Sequence, residues 1–149
     1  MKGVDPPTPW AEVAHWLAVA ENDRLAVLAC MASDPPLPEI AAFHCQQAVE
    51  KLLKGFLVFG GINFRRTHEL GELGAAAVTI FPEIAALVAV AEDWTIWGVA
   101  FRYPSAEGPP EPGPDNEELQ RALATIDELT AQLRSKQPRE AGIGPWRAP

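Results

Sequence analysis

Residues 40–68 gather four cations, Lys51, Lys54, Arg65 and Arg66, against a single acid, Glu50. Ammonium and guanidinium groups collected in this way neutralise phosphate oxygens, lysine as a point charge and arginine as a bidentate fork. His44 and His68 flank the cluster. Imidazole titrates near neutrality, so each is a candidate proton acceptor or donor. Gln46 and Gln47 lie between them and carry amides suited to a base edge or a partner helix. Each residue also has a purely structural reading. Lys51 and Lys54 can be solvated partners of Glu50, His44 a core or interface histidine bonded to a neighbour, and His68 a residue that fixes the start of a helix.

Other site chemistries find little support. The two cysteines, Cys30 and Cys45, and the scattered histidines lack metal-ligand spacing, so no metal site and no cofactor is expected. Both cysteines sit in apolar stretches, where a buried reduced thiol is the expectation. Cys45 has no electropositive niche that would make a thiolate nucleophile. Gly60-Gly61 follows an apolar helical pattern rather than a strand and reads as a helix stop, not a phosphate loop.

These side chains need helices to position them. Val13, Leu17, Ala20, Val27, Leu28 and Met31 recur at three- and four-residue steps and predict a first helix over residues 10–31, with Thr8-Pro9 as cap and first residue. The proline-rich stretch 33–38 breaks it, because proline removes an amide donor and forces its predecessor out of helical geometry. A second helix is expected over residues 38–59. At about 100° per residue it places Cys45, Val49, Leu52, Phe56 and Phe59 on one side and His44, Gln47, Lys51 and Lys54 on the other. Thr67 can cap a short third helix starting near His68, weakened by Gly71 and Gly74. Pro82 opens a fourth pattern through Ile84, Leu87, Val88, Ala91, Trp94, Trp97 and Phe101. After an exposed Pro/Gly loop at 104–114, Asp115-Asn116 starts a fifth helix with Leu119, Leu123, Ile126, Leu129 and Leu133 as its stripe. No β-alternation occurs. The expected fold is an all-α, antiparallel up-and-down bundle of four long helices plus one short helix, spanning residues 8–136, with a flexible tail at 137–149.

A chain of 149 residues suits one domain, and no apolar run reaches the roughly 20 residues of a membrane span. Residues 1–9 hold no apolar leader segment, so a soluble, cytoplasmic protein is expected. The net charge of −8 argues against wrapping long nucleic acid by bulk electrostatics. Charge is segregated, however: residues 105–128 carry seven acids against Arg121 alone. Five tryptophans and a long apolar fourth helix offer more bulky apolar surface than a thin bundle hides, which favours a dimer.

The run Ala42-Phe43-His44-Cys45-Gln46-Gln47-Ala48-Val49-Glu50-Lys51-Leu52-Leu53-Lys54-Gly55-Phe56-Leu57, then Arg66-Thr67-His68-Glu69-Leu70, then Phe101-Arg102-Tyr103-Pro104 resembles the HEPN family in order and separation. The resemblance covers residues 10–133. It implies a helical bundle that dimerises, binds or acts on nucleotides or RNA, and works beside a minimal nucleotidyltransferase, in a toxin and antitoxin setting. A phosphate-binding pocket made from Arg102, Lys51, Lys54 and Arg66 suits the local positive charge, with Gln47 and Tyr103 as further candidate ligand contacts. Several branches of the family are metal-independent ribonucleases whose motif is an arginine followed four to six residues later by a histidine. This chain departs there, because no histidine follows position 68. Metal-free cleavage needs a group that takes the 2′-hydroxyl proton, whereas arginine supplies only charge stabilisation. His44 or His68 would have to serve from another helix, with Arg102 as the charge clamp. A non-catalytic protein-interaction module is the remaining alternative. Arg102 also reads as a structural cation stacked among Trp97, Phe101 and Tyr103.

Overall fold

The computed structural model describes residues 9–98, 100 and 112–139. Five α-helices follow in chain order among the described residues: α1 (Pro9–Ala32), α2 (Pro38–Phe59), α3 (Leu70–Ile80), α4 (Ala85–Ala91) and α5 (Asn116–Arg134). No strand occurs among the described residues. The expected helical bundle is therefore present. Tyr103, Arg102, Thr8, most of the 104–114 loop and most of the 137–149 tail lie outside the described residues.

α2 is the axis of the molecule. Cys45, Val49, Leu52, Leu53, Phe56 and Leu57 are wholly buried, and Ala41, Ala42 and Ala48 let neighbouring helices close on its other sides. α1 lies antiparallel to it, with Trp10 at the start of α1 edge-on to Phe59 at the end of α2, ring centroids 6.3 Å apart. α5 runs in the same direction as α2. Leu119 and Pro38 share a pocket at one end, and Leu133 reaches the backbone of Gly55 toward the other, where an added Cβ would sit 2.8 Å from Leu133 Cδ2. The irregular segment after Gly60 turns through Gly61, at φ +68°, and carries the chain back along α2. This return brings His68 beside Gln46 and Glu50, so α3 also descends alongside α2 and ends where Phe81 meets Phe56.

The buried stripe of α1 is Val13, Leu17, Ala20, Asp23, Val27 and Cys30. Leu28, expected on that stripe, is 40% exposed, and a carboxylate, Asp23, takes an inward position. The polar side of α2 is narrower than its periodicity predicts, because Gln46 and Glu50 are buried as well.

The fourth pattern keeps its apolar spacing but not its helix. A 3₁₀ turn at Pro82–Ile84 leads into the seven-residue α4, and a second 3₁₀ segment runs over Glu92–Gly98. Side chains three apart eclipse in 3₁₀ geometry. Trp94 and Trp97 accordingly stack, with centroids 5.2 Å apart and planes 8° from parallel, an arrangement an α-helix would splay. At α3, Glu69 rather than Thr67 precedes the first turn. Thr67 Oγ1 accepts from the Glu69 amide at 3.1 Å, and the Leu70 amide donates to Thr95 Oγ1 at 3.0 Å, so a hydroxyl distant in sequence serves the helix start. α5 opens with a reciprocal capping box between Asp115 and Glu118.

Candidate functional site

Two buried carboxylates organise the polar strip of α2. Asp23, 6% exposed, projects from α1 toward two residues one heptad apart on α2. Its Oδ1 lies 2.8 Å from His44 Nδ1, and its Oδ2 accepts from Lys51 Nζ. Glu50, 3% exposed, lies on α2 itself and serves a second pair. Lys54 Nζ donates to Glu50 Oε1 at 2.7 Å, and His68 Nδ1 is 3.0 Å from both carboxylate oxygens. The two groups have the same composition: one acid, one lysine and one histidine held through Nδ1.

Burial pushes the Glu50 carboxyl up, but hydrogen bonds from Lys54 and His68, the nearby ammonium charge and the Gln46 amide outweigh it, so the carboxyl is held below its ordinary range. An ionised carboxylate only accepts hydrogen bonds. His68 must therefore donate from Nδ1, which in the neutral form of the ring puts the lone pair on Nε2. The His68 side chain is 82% exposed, so this nitrogen is accessible although its ring is tied to the core.

The amides are oriented by the same acid. Gln46 Nε2 donates to Glu50 Oε2 and to the His68 carbonyl, both at 3.2 Å. Gln46 Oε1 then accepts from Gln47 Nε2 at 2.7 Å. Because every partner of these nitrogens is an obligate acceptor, neither amide can be flipped without breaking the chain of bonds. Gln47 is left with a carbonyl oxygen to offer.

Beside this network lies a pocket of about 390 Å³ lined by Phe43, Gln46, Gln47, His68, Glu69, Thr95 and Gly98. Its volume falls at the small end of ligand pockets, which run from roughly 300 to 1,000 Å³. Gly98 forms part of the floor, where a Cβ would approach Gln46 Oε1 to 3.1 Å.

The expected site residues thus divide. His68 and Gln47 meet at the pocket. His44 and Lys51 are bound to Asp23, and Lys54 is bound to Glu50, with its ammonium 5.8 Å from the Trp16 ring centroid. Arg66 is exposed and makes no ion pair with a described residue, whereas its neighbour Arg65 forks onto Glu72 with two bonds of 2.7 Å. Sequence reasoning overlooked Asp23, Glu69, Thr95 and Gly98. Asp23 was detectable as an acid in register with Ala20 and Val27 on an otherwise apolar stripe. Thr95 and Gly98 carried no signal, since only the 3₁₀ segment brings them to the site.

Cys45 is no nucleophile here, because burial pushes its thiol up to about 12. Cys30 and Cys45 are both buried and unbonded to one another. No cluster that could hold a metal ion occurs among the described residues.

Among known protein families, the model of the HEPN domain matches residues 13–136. No curated protein and no solved structure gives a significant match.

Proposed function

This chain belongs to the HEPN domain family, and on that footing we propose that it binds a nucleotide or RNA segment in the pocket beside His68. In this proposal it works as a homodimer with a minimal nucleotidyltransferase partner, in a toxin and antitoxin pairing. Support comes chiefly from the pocket, where an accessible imidazole is aimed by a buried, ionised carboxylate and neighbours an amide oxygen whose direction is fixed. Lys51 and Lys54 balance the charges of Asp23 and Glu50, so contact with phosphate falls to Arg66 and Arg102. Arg102 follows the pocket residue Gly98 by four positions in the sequence. Tyr103, next to Arg102 in the sequence, would supply a stacking or hydroxyl contact.

The tautomer of His68 favours a second reading, metal-independent ribonuclease activity. His68 Nε2 would take the proton of a 2′-hydroxyl as that oxygen bonds to phosphorus, the P–O5′ bond breaks, and solvent protonates the leaving oxygen. Arg102 would stabilise the charge on the phosphorane. His44 has the same Nδ1–carboxylate anchorage but does not line the pocket.

Fluorescence anisotropy with a mixed short-RNA pool tests binding, and incubation of that pool in EDTA tests cleavage. Arg66→Ala, Arg102→Ala and His68→Ala are expected to weaken binding about tenfold each, in keeping with charged or hydrogen-bonded contacts of roughly 1.4 kcal/mol. His44→Ala is expected to leave it unchanged. Unaltered affinity in all the variants would overturn the site. Cleavage lost only in His68→Ala and Arg102→Ala would establish the nuclease reading.

A further inference from the structure

We infer that the pocket beside His68 selects guanine, through the carboxylate of Glu69. This deepens the proposed function and rests on it. The hydrogen-bonding capacity left in the pocket sets the choice, with Glu69 solvent-exposed and its charge felt by Arg65. Gln47 offers only its carbonyl oxygen, because its nitrogen is spent on Gln46 and Glu50. Glu69 stands before the first turn of α3, caps nothing with its side chain, and takes no hydrogen bond there from a described residue. Its carboxylate adds two acceptors. Thr95 Oγ1 already accepts from the Leu70 amide, so its hydroxyl hydrogen is free to donate. The pocket therefore presents clustered acceptors with a single hydroxyl donor beside them, and the Phe43 ring as an apolar wall.

Nucleobases differ in how they meet such a set. Guanine alone carries two parallel N–H donors, N1–H and N2–H, on one edge, and these match the two oxygens of a carboxylate. Its adjacent O6 accepts from a hydroxyl such as that of Thr95. Adenine and cytosine each offer one amino group next to a ring nitrogen whose lone pair faces the carboxylate. Uracil has one N–H between two carbonyls, which repel it. Reading single-stranded bases on their Watson–Crick edge is the usual form of sequence-specific RNA recognition. A bidentate pair discriminates between bases by roughly tenfold or more. Gly98 suits this arrangement, since a Cβ there would come within 3.1 Å of Gln46 Oε1 and require the amide that orients Gln47 to shift.

The test is anisotropy of the full chain with the labelled pentanucleotides UUGUU, UUAUU, UUCUU and UUUUU, and with inosine at the central position. The expected result is that UUGUU binds about tenfold tighter than the other three. Inosine, which lacks the N2 amino group, falls between. Glu69→Gln, whose amide cannot accept both donors, removes the preference for UUGUU over the other oligonucleotides while leaving the melting temperature unchanged. Equal binding of all five oligonucleotides, or a guanine preference that survives in Glu69→Gln, would overturn the assignment to Glu69 and leave the RNA-binding reading standing. Binding of none of them, nor of the mixed RNA pool, would overturn both.

Discussion

Glu50 links stability to the site, because the carboxylate that orients His68 is also the counter-ion of Lys54, whose side chain is only 12% exposed. Glu50→Ala would leave that ammonium without its acceptor and each of the two glutamine amides with one acceptor instead of two. Removing one partner of a buried pair costs on the order of 3 kcal/mol, which urea denaturation would register as a lower midpoint at unchanged slope. Glu50→Gln, which keeps an acceptor oxygen, should cost less. The pH dependence has a definite sign. The folded carboxyl sits below its ordinary value of 4.5, so the unfolded chain binds the proton more tightly. The stabilisation is complete above about pH 4.5 and is lost as pH falls through the lower folded value. The midpoint should therefore decline in acid in the native protein, and decline less in Glu50→Gln. Of this network, His44, Gln47, Lys51 and Lys54 were legible in the sequence as one polar face of a helix, and His68 as a separate candidate beyond its end. Their pairing was not, because it depends on Asp23 in another helix and on a loop that returns along α2.

Among the elements, α3 offers a paired test of what its glycines do. Nothing lies within 4 Å of a Cβ built on Gly71, whereas one built on Gly74 would collide with Val88 Cγ1. Gly71→Ala should stabilise the protein by about 0.5–1 kcal/mol, through helix propensity and a less flexible unfolded chain. Gly74→Ala should destabilise it by about 1–2 kcal/mol, because overpacking against a stiff β-branched side chain exceeds the same propensity gain. Opposite shifts in thermal midpoint would confirm that the α3–α4 contact depends on backbone approach; equal shifts would refute it. Periodicity located α1, α2 and α5 closely, and Asp115 marked the start of α5. It could not distinguish a long fourth helix from α4 flanked by 3₁₀ turns. Apolar residues at three-residue steps satisfy both forms, and the Trp94–Trp97 stack that favours 3₁₀ is a tertiary matter.

For the whole molecule, surface composition bears on assembly. Leu25 and Leu28 are 52% and 40% exposed on one side of α1, and Leu37 and Ile40 are similarly bare at the start of α2. Exposed apolar side chains grouped in this way suit another protein surface. Size-exclusion chromatography with light scattering should give twice the 16.1 kDa chain mass, and Leu25→Glu with Leu28→Glu should return it to the monomer. A monomeric native protein at high micromolar concentration would refute the dimer. All-helical class and family were readable from the sequence. The close sheathing of α2 was less so, because each helix announces its own apolar stripe but not which neighbour will cover it.

That sheathing has a consequence for synthesis. The flank of α2 that closes around Gly55 and Leu133 needs α5, which emerges from the ribosome more than fifty residues after α2 ends. Until then the nascent chain carries an uncovered apolar surface, the kind of intermediate that holdase chaperones and proteases recognise. Stalled chains ending before Asp115 should be degraded or chaperone-bound, and those extending past Arg134 with a tether spanning the exit tunnel should resist protease.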